Sequence, residues 1–130
     1  YVCADGGHVA VGALEPAFFR ALMAGLGLGQ EGWDQADRAQ WPAMAERIGA
    51  VFAAHPRAHW EAVFDGTDAC VSPVLTPGEA ACHPHAMARG AFVGEPVQPA
   101  PVPRFGGAAE PGPATCAEAS EVLARWRERG

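Results

Sequence analysis

Few residues of this 130-residue chain stand where a side chain could do chemistry. Glu15 is the most pointed. It follows the apolar run Val9–Leu14 and precedes Pro16, so it sits where a strand hands over to a helix. A carboxylate there lies beside helix N-terminal amides, which favour its ionised form. Position alone also suits a plain helix N-terminal acid, and taken by itself favours that simpler role. Asp68, in Asp65-Gly66-Thr67-Asp68-Ala69-Cys70, precedes another apolar run and reads first as a turn residue. Cys82-His83-Pro84-His85 gathers a thiol and two imidazoles. A zinc site needs a second ligand pair at a set spacing. None accompanies this one, and His8, His55 and His59 are scattered, so no metal site is expected. No Ser-His-Asp set can be assembled, and GxSxG, GxGxxG and P-loop patterns are absent. Gly25-Leu26-Gly27-Leu28-Gly29 has no strand feeding it and reads as a helix stop, not a phosphate cradle.

The elements that must position these residues are legible from periodicity. Asp5-Gly6-Gly7 between short apolar runs predicts strand, tight turn, strand over Tyr1–Ala4 and His8–Ala13. Pro16 suits a first helical turn, and Phe18, Phe19, Leu22, Met23 and Leu26 recur at helical spacing until the glycines. Gln30 to Gln40 is polar and reads as a loop with a turn of helix. Trp41 to Ala54 is the clearest helix, with Trp41, Met44, Ile48, Val51 and Phe52 on one face, ended by His55-Pro56. A shorter helix spans Arg57 to Phe64 with Trp60, Val63 and Phe64 inward, and Asp65-Gly66 turns the chain. The Trp and Met residues fall on helical faces that read as core. Ala69 to Leu75 reads as a buried strand. Thr76-Pro77-Gly78-Glu79 is a capping box for a helix to about Cys82. Ala91 to Val93 is a candidate strand.

Composition changes after Val93. Gly94 to Pro113 is rich in Pro and Gly, cannot build a core, and should run extended. Thr115 to Arg129 reads as a helix with Val122, Leu123 and Trp126 on one side. The expected fold class is α+β: a small domain over residues 1–95, then an extended Pro-rich segment and C-terminal helix over 96–130 that needs a surface to dock on.

Hydrophobic residues make up 49% of the chain, enough for a packed core. Nine Lys+Arg, all of them Arg, against fifteen Asp+Glu give a net charge of −6. A dispersed acidic balance excludes an electrostatic nucleic-acid face. No apolar run approaches the roughly 20 residues that cross a bilayer, so no membrane partner is expected. No basic and apolar leader opens the chain, so no signal peptide is expected. Cys3, Cys70, Cys82 and Cys116 form no CxxC pair and read as free thiols of a reducing, cytoplasmic compartment. The chain begins with Tyr1 inside an apparent strand, which suits a trimmed chain or the back end of a longer protein.

Four segments, taken in order, add a family resemblance. They are Tyr1-Val2-Cys3-Ala4-Asp5-Gly6-Gly7-His8-Val9-Ala10-Val11-Gly12-Ala13-Leu14-Glu15-Pro16-Ala17-Phe18-Phe19, then Asp65-Gly66-Thr67-Asp68-Ala69-Cys70-Val71-Ser72-Pro73-Val74-Leu75-Thr76, then His83-Pro84-His85 with Arg89-Gly90-Ala91-Phe92, and Gln98-Pro99-Ala100-Pro101 with Pro103-Arg104-Phe105. Together they resemble the C-terminal part of the α-methylacyl-CoA racemases, within the family III CoA-transferase (CaiB/BaiF) superfamily. The first two segments are the specific ones. The chain departs from the family at Cys116-Ala117-Glu118-Ala119, where a Gly-x-His-Thr type pattern is usual.

The resemblance implies a small α+β domain and a segment returning to a large Rossmann-like domain that lies upstream. It also implies an interlocked homodimer. The implied reaction, part of fatty-acid metabolism, inverts the α-carbon of a 2-methylacyl-CoA thioester through an enolate, using a His and an Asp of the large domain. Glu15 maps onto the carboxylate that pairs with that His, so the resemblance makes it the catalytic-site candidate, with Ala13 and Leu14 lining the acyl side. The coenzyme A thioester is the substrate, and no metal or organic cofactor is called for. The 130 residues alone would be inactive. Two alternatives remain: a CoA-transferase fragment working through an Asp nucleophile in the large domain, and a stand-alone non-catalytic binding or assembly module.

Overall fold

A computed structural model describes residues 1–102 and 117–128. Pro103-Arg104-Phe105, the rest of the Pro-rich stretch and Cys116 lie outside the described residues. The chain divides into two compact units, Tyr1–Thr76 and Pro77–Gly130.

The first unit opens on a tight hairpin. The Tyr1 and Val9 backbones bond each other at 2.9 and 3.0 Å, and Val2 bridges His8. The turn closes through Cys3 N–H to the Gly7 carbonyl (2.8 Å), with Gly6 left-handed at φ +77°. The first arm is thus a single bridge rather than a strand, and β1 is His8–Val11. It pairs antiparallel with β2, Val71–Val74, in the register Val9↔Pro73 and Val11↔Val71.

Val9 is buried and Val11, Val71 and Pro73 are half-buried, while His8, Ala10, Ser72 and Val74 are exposed. The expectation of a buried strand over 69–75 is therefore corrected. β2 has one inward and one outward face, because the sheet has two strands and the side chains alternate.

Helix α1, Pro16–Gly25, buries Leu22 and Met23. Its end is a Schellman motif. Gly27 N–H bonds the Ala24 carbonyl (3.1 Å) and Leu28 N–H the Met23 carbonyl (2.8 Å), with Gly27 at φ +71° and Leu28 and Met23 both buried. The glycine run is thus a helix stop, as its sequence implies.

Helix α2, Trp41–Phe52, turns Met44, Ile48 and Phe52 inward. Helix α3, Arg57–Phe64, adds Trp60 and Phe64. These form an aromatic cluster in which the fully buried Phe52 stacks on Tyr1 at 5.2 Å and meets Trp60 edge-on at 5.1 Å. Trp60 Nε1 donates to the Phe52 carbonyl at 2.9 Å, which satisfies an indole that burial would otherwise strand. Asp5 ties the hairpin to α3 by accepting from the N–H groups of Gly7 (3.0 Å) and Arg57 (3.2 Å). These bonds, the one to Gly7 foremost, hold the Asp5 carboxyl below its ordinary range.

The second unit contains α4 (Pro77–Cys82), α5 (Pro84–Ala88), the strands β3 (Phe92–Val93) and β4 (Gln98–Pro99), and α6 (Ala119–Arg127). β3 and β4 pair antiparallel, and Ala100 N–H adds a bond to the Ala91 carbonyl (2.8 Å). The stretch expected to run extended from Gly94 thus begins by folding back as a hairpin. Its backbone N–H and C=O groups find cross-strand partners although its side chains build little core.

In α6, Glu121 sits in the first turn with Arg125 and Arg127 in the last, an arrangement that complements the helix dipole. Leu123 and Trp126 of α6, and Met87 of α5, are exposed, so the core reading of the Trp and Met residues fails for Met87 and Trp126. Among the described residues, no helix is long and apolar enough to cross a membrane.

Candidate active site

The chain between β1 and α1 belongs to neither element, yet it is closely tethered. Gly12 N–H continues the β1–β2 pairing one step further by bonding the Cys70 carbonyl at 2.9 Å. Cys70 holds a left-handed backbone, φ +52°, a conformation that costs a non-glycine residue about 1 kcal/mol or more. Leu14 N–H then bonds the Gly12 carbonyl at 2.8 Å, a γ-turn about Ala13.

Glu15 follows with an extended backbone (φ −77°, ψ 145°) as the N-cap residue of α1. Its carbonyl accepts the first helical bond from Phe19 N–H at 2.9 Å. Its side chain does not cap the helix. Pro16 at the helix start already lacks an N–H. The carboxylate is exposed and, among the described residues, carries no hydrogen bond or ion pair.

Ala13 is buried and Leu14 is 81% exposed. Two open hollows meet at this segment. One, about 310 Å³, is lined by Ala13, Leu14, Phe19, Gln35, Trp41 and Met44 among others. The other, about 550 Å³, shares Leu14, Phe19, Gln35 and Trp41 and adds Pro16, Arg20 and Trp33. Leu14 stands on the rim of both, an apolar side chain held where water would otherwise favour retraction.

Two more residues reach this segment: Gln35, from the stretch 30–40 that reads as a polar loop, and Trp41, which begins α2. Gln35 Nε2 donates to the carbonyls of both Ala13 (3.0 Å) and Leu14 (2.7 Å). Trp41, expected as core, is instead 47% exposed. Its indole Nε1 donates to the Gln35 carbonyl at 3.0 Å, and the Arg38 guanidinium lies 5.3 Å from its ring centre. It therefore serves as pocket wall and strut. The only local signal for Gln35 was the density of Asp and Gln in the loop.

Of the remaining candidates, His83 has a structural role. His83 Nδ1 accepts from His85 N–H at 3.3 Å and so caps α5. Among the described residues no three His, Cys, Asp or Glu converge as metal ligands. The turn after α3 is held by Thr67, whose Oγ1 donates to the Phe64 carbonyl at 2.8 Å, rather than by Asp68.

The sequence profile of the family described as CoA-transferase family III matches residues 1–119. The chain belongs to this family. The family III match runs through the β1–α1 segment, the Gln35 loop and both units of the fold. Among curated relatives, a mouse protein named alpha-methylacyl-CoA racemase is 47% identical over 105 residues, and the human protein of the same name is 45% identical over 107. Each comparison covers 79% of this family III chain and 28% of the relative. The chain thus spans little more than a quarter of the length of the racemases it matches.

Proposed function

We propose that the chain is the C-terminal portion of a 2-methylacyl-CoA racemase. The observation that carries this reading is the identity of 45–47% to two racemases across 79% of the chain. At family level a CoA-transferase also fits, but the similarity to named racemases favours isomerisation.

The chemistry requires two acid/base groups on opposite faces of the α-carbon. One removes the α-proton, the C–H electron pair passes into an enolate of the thioester, and the other returns a proton to the opposite face. The thioester carbonyl makes the proton removable, so the reaction calls on no metal or organic cofactor. In this reading the two groups are the His and Asp of the preceding large domain. Glu15 is a positioning residue whose carboxylate orients the imidazole and favours its cation, as the acid of a catalytic triad does. Its freedom from capping and its tethered backbone support that role. Leu14 meets the acyl portion at the rim, with Ala13 behind it. The exposed Leu123 and Trp126 of α6 are the surface that docks on the large domain of an interlocked homodimer. Free thiols at Cys3, Cys70 and Cys82 suit a cytoplasmic enzyme.

The test uses the full-length protein and one enantiomer of a 2-methylacyl-CoA in deuterated water. Wild type exchanges the α-proton and racemises without any added acceptor acid. Glu15→Gln lowers the rate about 100-fold, the low end of what a positioned acid/base partner supplies. It also moves the pH-profile limb of the His to lower pH by about one unit, since removing a nearby negative charge disfavours the imidazolium. An unchanged Glu15→Gln profile removes Glu15 from the mechanism. Dependence on a free-acid acceptor replaces the racemase with a transferase.

A further inference from the structure

We propose that Gln35 is a positioning residue that fixes the direction of Glu15; this rests on the role given to Glu15 above. Between the last residue of β1 and the first turn of α1, the carbonyls of Ala13 and Leu14 are reached by neither the sheet ladder nor a helix. Both are taken by one side-chain amide, at 3.0 and 2.7 Å. A primary amide has two N–H donors on one nitrogen, so Gln35 commits its whole donor capacity to these two consecutive peptides.

Gln35 is itself held from behind. Its carbonyl receives the Trp41 indole, which begins α2. The surrounding loop is pinned by Asp34 N–H to Gln40 Oε1 (3.1 Å), Ala36 N–H to Asp34 Oδ1 (2.9 Å), Ala39 N–H to Asp37 Oδ1 (2.9 Å) and Gln40 Nε2 to Asp37 Oδ2 (3.0 Å). A continuous line of bonds therefore runs from α2 through Gln35 to the peptide immediately before Glu15. On its other side Glu15 is fixed by α1, so both of its flanking peptides are oriented by rigid elements. An isolated helix start would leave the upstream one free to rotate. Misplacing a reacting constellation by about 1 Å can cost about 100-fold in rate.

The donor chemistry is what matters. Gln35→Glu keeps the shape but replaces the donors with a carboxylate that repels both carbonyls. The experiment is a double-mutant cycle in the full-length protein, measuring α-proton exchange for wild type, Gln35→Glu, Glu15→Gln and the double variant. Trp41→Phe, which removes the rear bond to Gln35 and trims the indole from the pocket wall, is run in parallel, alone and combined with Glu15→Gln, in case Gln35→Glu fails to fold. The expected result is a fall in kcat of about 10- to 100-fold for Gln35→Glu, with KM changed less, and a smaller fall of the same kind for Trp41→Phe. Both losses nearly vanish in the Glu15→Gln background, where there is no carboxylate left to aim. Equal losses in both backgrounds overturn the proposal, since they describe a general structural role. A loss confined to KM overturns it too, since it makes Gln35 a pocket wall. A Glu15→Gln protein as active as wild type defeats the prior reading of Glu15 and is distinguishable from either.

Discussion

Gly25 is the position where a single methyl group should be felt most. It is the last residue of α1 and faces Phe64 of α3. A Cβ added there would be driven into the ring edge at Cε1, with Cζ at 3.0 Å and Cδ1 at 3.2 Å. The ring cannot simply swing aside, because Phe64 is buried and packs against Trp60 (6.2 Å) and Phe52 (6.3 Å).

Two effects of Gly25→Ala oppose each other. Alanine favours the helix by at most about 1 kcal/mol, and less at a helix end. Overpacking a filled core costs about 1–3 kcal/mol. The net expectation is a loss of about 1–2 kcal/mol, carried by the α1–α3 contact. Hydrogen exchange on the amides of α1 and α3 in the full-length protein reads this as opening roughly 5- to 30-fold more frequent. A cycle with Phe64→Leu isolates the clash. The flexible smaller side chain gives way, so the double variant should be less destabilised than the sum of the singles by about 1 kcal/mol. Slower exchange in Gly25→Ala, or additivity within about 0.5 kcal/mol, would refute the steric account.

Gly27→Ala meets open space and tests the backbone instead. At φ +71° it should cost about 1 kcal/mol by the same exchange measurement, and Gly27→Asn should cost less. Trp60→Phe keeps the ring stack but leaves the Phe52 carbonyl without its indole donor. A loss of about 1–2 kcal/mol is expected, visible as faster exchange in α3. Asp5 gives a pH signature. Its folded pKa is depressed, so its contribution is present above the unfolded value of about 3.9 and is lost as pH falls through the folded one. Thermal unfolding followed from about pH 4 downward should therefore fall more steeply for wild type than for Asp5→Asn, and less so in high salt.

What was legible in the chain is what repeats or is local. Leu22, Met23, Met44, Ile48, Phe52, Trp60 and Phe64 lie at helical spacing and all are buried. Asp5-Gly6 and the glycines after α1 announce turns because only certain residues tolerate those dihedrals. β2 misled in burial because its outward Val74 is as apolar as its inward Val71, so composition concealed the alternation. Trp126 misled for a related reason. Its helical spacing marks an apolar stripe but says nothing of what covers it.

The site divides along the same line. Glu15 could be singled out because strand, Pro and helix meet there in consecutive residues. The role proposed for it could not, because a carboxylate that orients another group is defined by a partner outside the local pattern. Gln35 was less visible still. Its two bonds reach back 22 and 21 residues to main-chain carbonyls, and a carbonyl carries no residue type for a sequence pattern to register. In sequence the loop around it reads only as a polar stretch, because Asp and Gln side chains carry no periodic signal of what they bond. They bond one another and the backbone, so a polar stretch without core residues becomes a stiff brace. Such a brace suits the proposed site, which calls for one exposed carboxylate aimed and uncommitted. A buried apolar support would have drawn the segment inward, whereas an amide holding two carbonyls fixes the backbone and leaves the next side chain at the surface.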